Sequence, residues 1–280
     1  MPRMLLLAVL VAACVGAVHV GTAQAISACG SFNSSATLTA DCVAPLNITA
    51  SGITVDLGGH KVICNSSVEG VVFIFASRSV LKNGRVTSGS GNCMDGVIVG
   101  GFSNQLLGVG VDSASAQGIL VEGGGNRLTA VDSSFNGNDG VIVFGDGNVI
   151  RSSRFTGNGD DGASFFQGAD NILQHNYVAF NGDKGIISGA DSTIIFNNQS
   201  AFNGVGIYLS DGSTGNALSL NQTYRNNVGI QINPTSNHDV VSFNGSYANF
   251  TWDMQDDNAS CDTDLWFDNL FVSANQGCIS

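Results

Sequence analysis

The chain has 280 residues, a formal net charge of −12 and a pI near 4.3. So acidic a chain lacks the basic face that nucleic acid or an anionic lipid surface requires, and it would repel an acidic polysaccharide unless a divalent cation bridged the two. Gly (37) and Asn (28) are over-used and Pro is scarce (3), yet the apolar residues are regularly spaced, which points to repeats and not to disorder.

Residues 1–25 read as a signal peptide. Arg3 is the positive n-region, Met4 to Val20 is apolar, and Ala23-Gln24-Ala25 is a small-x-small cleavage site. The apolar run is short for a membrane span, and no later segment is apolar enough to be one. The mature chain is therefore expected outside the cytosol: extracellular, periplasmic or at the cell surface. It keeps Cys29, Cys42, Cys64, Cys93, Cys261 and Cys278, an even count that suits disulfides. No Cys-x-x-Cys pair suggests zinc.

Residues 26–51 read as an N-terminal cap, 52–250 as repeated coils and 251–280 as a C-terminal cap. Gly96-Val97, Gly118-Ile119, Gly140-Val141, Gly162-Ala163, Gly185-Ile186, Gly206-Ile207 and Gly229-Ile230 each open a unit of 21 to 23 residues. Within a unit, short Val-, Ile- and Phe-rich runs alternate with a period of two between Gly, Asn, Asp and Ser, the pattern of short strands and tight turns. Three short strands per unit make one coil of an all-β, single-stranded, right-handed parallel β-helix, a solenoid with disulfide-closed ends. Seven to nine coils are expected.

A fixed period stacks equivalent residues. Asn104, Asn126, Asn148, Asn171 and Asn216 form one amide column, and Asn176, Asn198, Asn221 and Asn244 a second. The glycines are read as suppliers of positive φ at corners. Ile119, Val141, Ala163, Ile186, Ile207 and Ile230 are read as an inward column. Phe135, Phe155, Phe180, Phe202, Tyr224 and Tyr247 are read as another. Open solenoid ends need capping. Cys29 to Cys42 and Cys261 to Cys278 could close the caps and Cys64 to Cys93 bridge neighbouring coils, although six cysteines allow fifteen connectivities. Three of eight N-x-[ST] sequons, at Asn198, Asn221 and Asn244, fall in a ladder, where a glycan would not fit.

The opening Cys29-Gly30 through Cys42, the Ile53-Thr-Val-Asp-Leu-Gly-Gly-His60 stretch, the repeats over 96–250, and the closing Asp257-Asn258, Cys261, Trp266 and Cys278-Ile279 together resemble the pectin-lyase-like superfamily. Within it they are most similar to secreted β-helix repeat proteins of the NosD-like type. The resemblance implies the fold. It licenses no single reaction, since such folds include lyases, hydrolases, epimerases, tailspikes and adhesins.

Three groups of residues are candidates for function. Asp95, Gln117, Asp139, Asp161 and Lys184 precede the repeat glycines, with Asn138, Asp160 and Asp183 beside them. Asp139, Asp161 and Asp183 could bind Ca²⁺, and Asp160 and Asp161 could be paired hydrolase carboxylates. Asp also simply suits N-D-G turns. His175, with Arg151, Arg154 and Lys184, offers a base and cations for proton abstraction beside a uronate carboxyl. Ile98, Leu120, Ile142, Ser164, Ile187, Tyr208 and Gln231 should point outward, with Phe144 and Phe166 two positions further on. Phe144, Phe166 and Tyr208 would then form a surface for a polysaccharide, a cell-surface glycan or a partner protein, unless a one-residue slip inverts the phase. The three histidines after residue 25 are too scattered to bind copper, and no cofactor other than Ca²⁺ is suggested. An ice-binding role is set aside, because repeated Thr-x-Thr ranks are missing. Short turns and few insertions favour a non-catalytic binding module over a polysaccharide lyase, epimerase or hydrolase.

Overall fold

The computed structural model describes residues 23–210 and 212–280. Nearly all of the expected signal segment lies outside the described residues. The strand Gln24–Ile26 pairs in parallel with Ala36–Leu38, so a cut after Ala25 would fall within it. Among the described residues no helix is long and apolar enough to cross a membrane.

The described residues form a β-solenoid without α-helix. One coil shows the plan: strands Val141–Val143, Val149–Arg151 and Arg154–Thr156, joined by short corners. Each strand pairs in parallel with its equivalents one coil earlier and one coil later. The first strand of each coil belongs to an 11-stranded sheet and the other two to a 20-stranded sheet. Eleven stacked strands exceed the seven to nine coils expected and give a rod of roughly 48 Å at about 4.8 Å per step. The excess lies at the ends. Ser31–Phe32 and Leu46–Ile48 already join the 11-stranded sheet, as does Trp252–Asp256, so coil geometry runs into both segments read as caps. Cys29–Cys42, Cys64–Cys93 and Cys261–Cys278 are disulfide-bonded.

The interior is a set of stacked columns. Val97, Ile119, Val141, Ala163, Ile186, Ile207 and Ile230 line one wall, fully buried. The second inward column differs from expectation. It runs Ser133, Phe155, Val178, Ser200, Thr223 and Ser246, so that Phe155 alone of the aromatics expected there is inside. Phe135, Phe180 and Phe202 occupy a corner with φ near +60°, which turns the side chain away from the core. Phe135 and Phe180 are exposed, and Phe180 stacks on Phe202 at 4.6 Å. Tyr224 and Tyr247 sit one position earlier and also stack outside.

The corners repeat one device. Three columns have positive φ: residues 125, 147, 170, 192, 215 and 238; 130, 152, 175, 197, 220 and 243; and 135, 157, 180, 202, 225 and 248. The residue after each is commonly Asn. Its Oδ1 accepts the backbone N–H of the equivalent residue one coil earlier, as from Asn148 to Asn126 and from Asn198 to Asn176. A third ladder, Asn136, Asn158, Asn181, Asn203, Asn226 and Asn249, was not read from the sequence, although its spacing of 22 or 23 is the same. Asn198, Asn221 and Asn244 are buried in their ladder and unavailable to a glycan.

The repeat glycines are needed for a different reason from the one expected. They do not have positive φ. A Cβ on Gly118 would lie 2.0 Å from Ser133 Oγ, and one on Gly185 would lie 2.0 Å from Ser200 Oγ. Glycine is there to let the backbone approach the inward column. Most positive-φ corners are filled by other residues.

Replacing Asn158 with Ala leaves the Asn136 N–H and the Ser133 carbonyl without their side-chain partner. A loss of about 2–6 kcal/mol is expected, from two buried groups at roughly 1–3 kcal/mol each. Urea denaturation of Asn158→Ala should show it, and an unchanged midpoint would contradict the ladder's role.

Candidate functional site

Two separate grooves hold some of the residues singled out from the sequence. The first lies on the outer face of the 11-stranded sheet. The predicted outward column is in register there, Ile98 against Leu120, Ile142, Ser164, Ile187, Tyr208 and Gln231. Most members are half-buried, while Ile98 and Ser164 are covered by their neighbours. Two positions on, Phe166 is 57% exposed and Phe144 36%, with ring centroids 5.4 Å apart and planes tilted by 55°. Beside them a groove of about 400 Å³ is lined by Ser164, Phe166, Lys184, Ile187, Tyr208 and Ser210. The Lys184 ammonium lies over the Tyr208 ring, 5.4 Å from its centroid, and Asn233 donates to the Tyr208 hydroxyl.

The aspartate column adjoins this groove through Lys184. Gln117 N–H donates to Asp95 Oδ1, Asp139 N–H to the Gln117 side-chain oxygen, Asp161 N–H to Asp139 Oδ1, and Lys184 N–H to Asp161 Oδ1. This is a ladder of opposite polarity to the Asn ladders, since each side chain accepts from the following coil. Burial pushes the Asp139 carboxyl up to about 7, with the Asp161 and Asp160 charges adding to it against the hydrogen bond from Asp161 N–H. Burial likewise raises Asp161 to about 6, opposed by its hydrogen bond from Lys184 N–H and by the Lys184 charge. Lys184 is partly buried, which works against its charge, but its bond to Asp183 and the Asp161 charge keep it above the ordinary lysine value.

The carboxylates of Asp139, Asp160 and Asp161 each offer an oxygen within 4.8 Å of the others. Asp183 instead pairs with Lys184. Three carboxylates are few for Ca²⁺, which takes 6–8 oxygens, and Oδ1 of both Asp139 and Asp161 already accepts a backbone N–H.

His175 is not part of this groove. It stands at a positive-φ corner of the 20-stranded sheet, its ring edge-on to Phe196 at 5.7 Å. There it lines a second groove of about 610 Å³ with Arg154 and Tyr177, whereas Lys184 lines the first groove. The sequence-derived set of His175 with Lys184 is thus divided between two cavities. Tyr177, which lies under the Arg154 guanidinium at 5.5 Å, was not singled out. Register with Arg154 one coil earlier would have found it.

A carboxyl whose folded pKa is raised binds its proton more tightly in the folded state. Its contribution is fully present below the unfolded value near 3.8 and is lost as pH rises through the folded value. Asp139 (about 7) and Asp161 (about 6) are joined by Asp264, which burial and the Asp239 and Asp256 charges raise to about 6. Stability should therefore fall between about pH 4 and pH 7.5. Asp139→Asn keeps the Oδ1 acceptor, and denaturant midpoints across that range should show a shallower slope. An equal slope would remove Asp139 from the account.

No curated protein matches the sequence. In fold, the chain is similar to the A-module of the mannuronan C-5 epimerase AlgE4 from Azotobacter vinelandii, with a TM-score of 0.65, 12% identity, and 89% of this chain and 88% of that one covered. The A-module of AlgE6 from the same organism also scores 0.65, at 14% identity over 88% and 86%. A mutant of the periplasmic alginate epimerase AlgG scores 0.51, at 14% identity over 81% and 60%. At such identities the likeness is one of fold. A family model described as the right-handed β-helix region matches residues 117–259, half of the chain. With that match and the coil-by-coil register of its strands, the chain belongs to the right-handed β-helix family.

Proposed function

We propose that the protein is a secreted polysaccharide-binding module whose binding face is the outer surface of the 11-stranded sheet at Phe144, Phe166 and Tyr208. The observation that carries this is the exposed, tilted Phe144–Phe166 pair next to the Lys184–Tyr208 groove. Sugar rings present apolar C–H faces that pack on aromatic rings, and hydroxyls that suit the polar groups beside them. The names of the fold neighbours, epimerases of mannuronan and alginate, point to polysaccharide as the ligand class. Three disulfides suit an oxidising compartment outside the cytosol. Among the described residues the coils are joined by short corners, and no long loop walls off the face.

One observation favours catalysis as a second reading. Asp139 and Asp161, raised towards neutrality, stand beside ionised Lys184, and carboxyls of shifted pKa are what acid–base chemistry on a glycosidic or uronate centre uses. On that reading Asp161 with Asp160 would act, and Asp139, Asp160 and Asp161 would hold Ca²⁺ if the reaction needed one. Both buried carboxylates are, however, engaged by backbone N–H groups in the ladder, which is reason enough for their placement.

A panel of neutral and acidic polysaccharides, each offered with Ca²⁺ and with chelator, separates the readings. Binding without turnover is expected, weakened at least tenfold by Phe166→Ala or Tyr208→Ala. Turnover abolished by Asp161→Asn in a variant that still folds would establish the catalytic reading in its place.

A further inference from the structure

We propose that the corner groove at His175 is a second, independent ligand site, which binds an oxyanion (a carboxylate or a sulfate ester) carried on a saccharide. Its floor is the positive-φ column Ala130, Ser152, His175 and Asn197, four equivalent residues from successive coils. Its wall is the in-register column Asp132, Arg154, Tyr177 and Gln199. The groove therefore runs along the rod over four coils, roughly 14 Å at about 4.8 Å per step.

The groove holds a cation without a carboxylate partner, one of six such among the nine described lysines and arginines. Among the described residues Lys82, Arg85 and Lys184 are paired with carboxylates. Arg154 and the adjacent Arg151 form no ion pair with any described carboxylate. Arg154 is held without being neutralised: its Nε donates to Thr156 Oγ1 at 3.2 Å, and its guanidinium lies over the Tyr177 ring at 5.5 Å. Arg151 is fixed in the same way, by Thr129 Oγ1. Asp132, the acid in the groove, accepts from Ser134 Oγ and lies beyond ion-pair distance of Arg154.

A guanidinium anchored through Nε keeps its terminal N–H groups for a ligand, and their planar fork matches a carboxylate or sulfate better than it matches a halide. His175 adds a ring N–H donor that no other described residue takes up, while Ser152, Asn197 and Gln199 supply the hydroxyl and amide groups that a sugar ring needs. No residue is shared with the groove on the 11-stranded sheet, so this site does not depend on the polysaccharide reading of that face.

The test is a titration of the mature chain with sodium glucuronate, inorganic sulfate and, as neutral control, glucose, at fixed ionic strength. Binding is followed by the imidazole NMR signals, with that of His175 assigned by its loss in His175→Gln. A saturable shift of the His175 signal with glucuronate, sulfate or both is expected, and which of them binds tells a carboxylate site from a sulfate site. Arg154→Ala should weaken binding at least tenfold, Arg154→Lys should weaken it less, and Tyr208→Ala in the other groove should leave it unchanged. The unshifted His60 and His238 signals serve as the check that each variant is folded. No saturable shift, an equal shift with glucose, or undiminished binding in folded Arg154→Ala would overturn the proposal.

Discussion

Everything in this molecule depends on one backbone problem, which is how to turn a strand through a corner without leaving its amides unpaired. A residue at φ near +60° reorients the chain in a single step, but the N–H that follows it points into a corner where no strand can reach. The Asn that commonly follows answers this from one coil away, its Oδ1 accepting that N–H. In the better-satisfied ladders the same side chain donates through Nδ2 to the next amide and to an interior carbonyl, as Asn198 does to Asn221 and to Leu173. In the ladder through Asn126, Asn148 and Asn171 the Nδ2 groups find no such partner, so that corner is the least fully bonded of the three. The arrangement works only if successive coils are nearly equal in length. It thereby imposes the 22- or 23-residue period on all else.

That period decides where chemistry can stand. Because equivalent residues stack at a spacing of about 4.8 Å, like charges placed in a column sit close enough to resist ionisation. Asp139 and Asp161 show the result: both serve as backbone acceptors, and both carboxyls are raised above the ordinary value by burial and by neighbouring carboxylates. The column is relieved where the repeat substitutes Lys184 for the next carboxylate, and the ammonium at that break reaches the Tyr208 ring and the sheet-face groove. A local departure from the repeat thus joins a structural ladder to an exposed surface.

The sequence carried the architecture in its periodicity, and two of the three amide columns and the outward stripe could be read from it residue by residue. What it concealed was phase. Phe135, Phe155 and Phe180 are alike in chemistry and nearly alike in spacing, yet Phe155 lies in a strand with its side chain inward while the other two lie at a corner and face out. A difference of two residues in a 22-residue unit is invisible to hydrophobicity. The repeat glycines misled in a related way, since Gly118 is required by the closeness of Ser133 across the interior, a contact between residues 15 apart that no local rule reports. The candidate site was less legible still. His175 and Lys184 are nine residues apart and looked like partners, but in a coil of 22 residues nine is enough to pass onto another face.

The same reasoning indicates where function is to be sought in such a rod. A perfect repeat presents identical columns, and a ligand would find nothing to distinguish one coil from the next. Recognition must come from positions where the repeat is broken without breaking the ladder. The corner column shows it well. Ala130, Ser152, His175 and Asn197 hold the same backbone conformation, so the backbone does not explain why one of them is an imidazole. Across from it Asp132, Arg154, Tyr177 and Gln199 share one strand position and differ in chemistry at every step. Where geometry is constant and chemistry varies, the folding constraint has been met already, and the variation is free to serve a ligand.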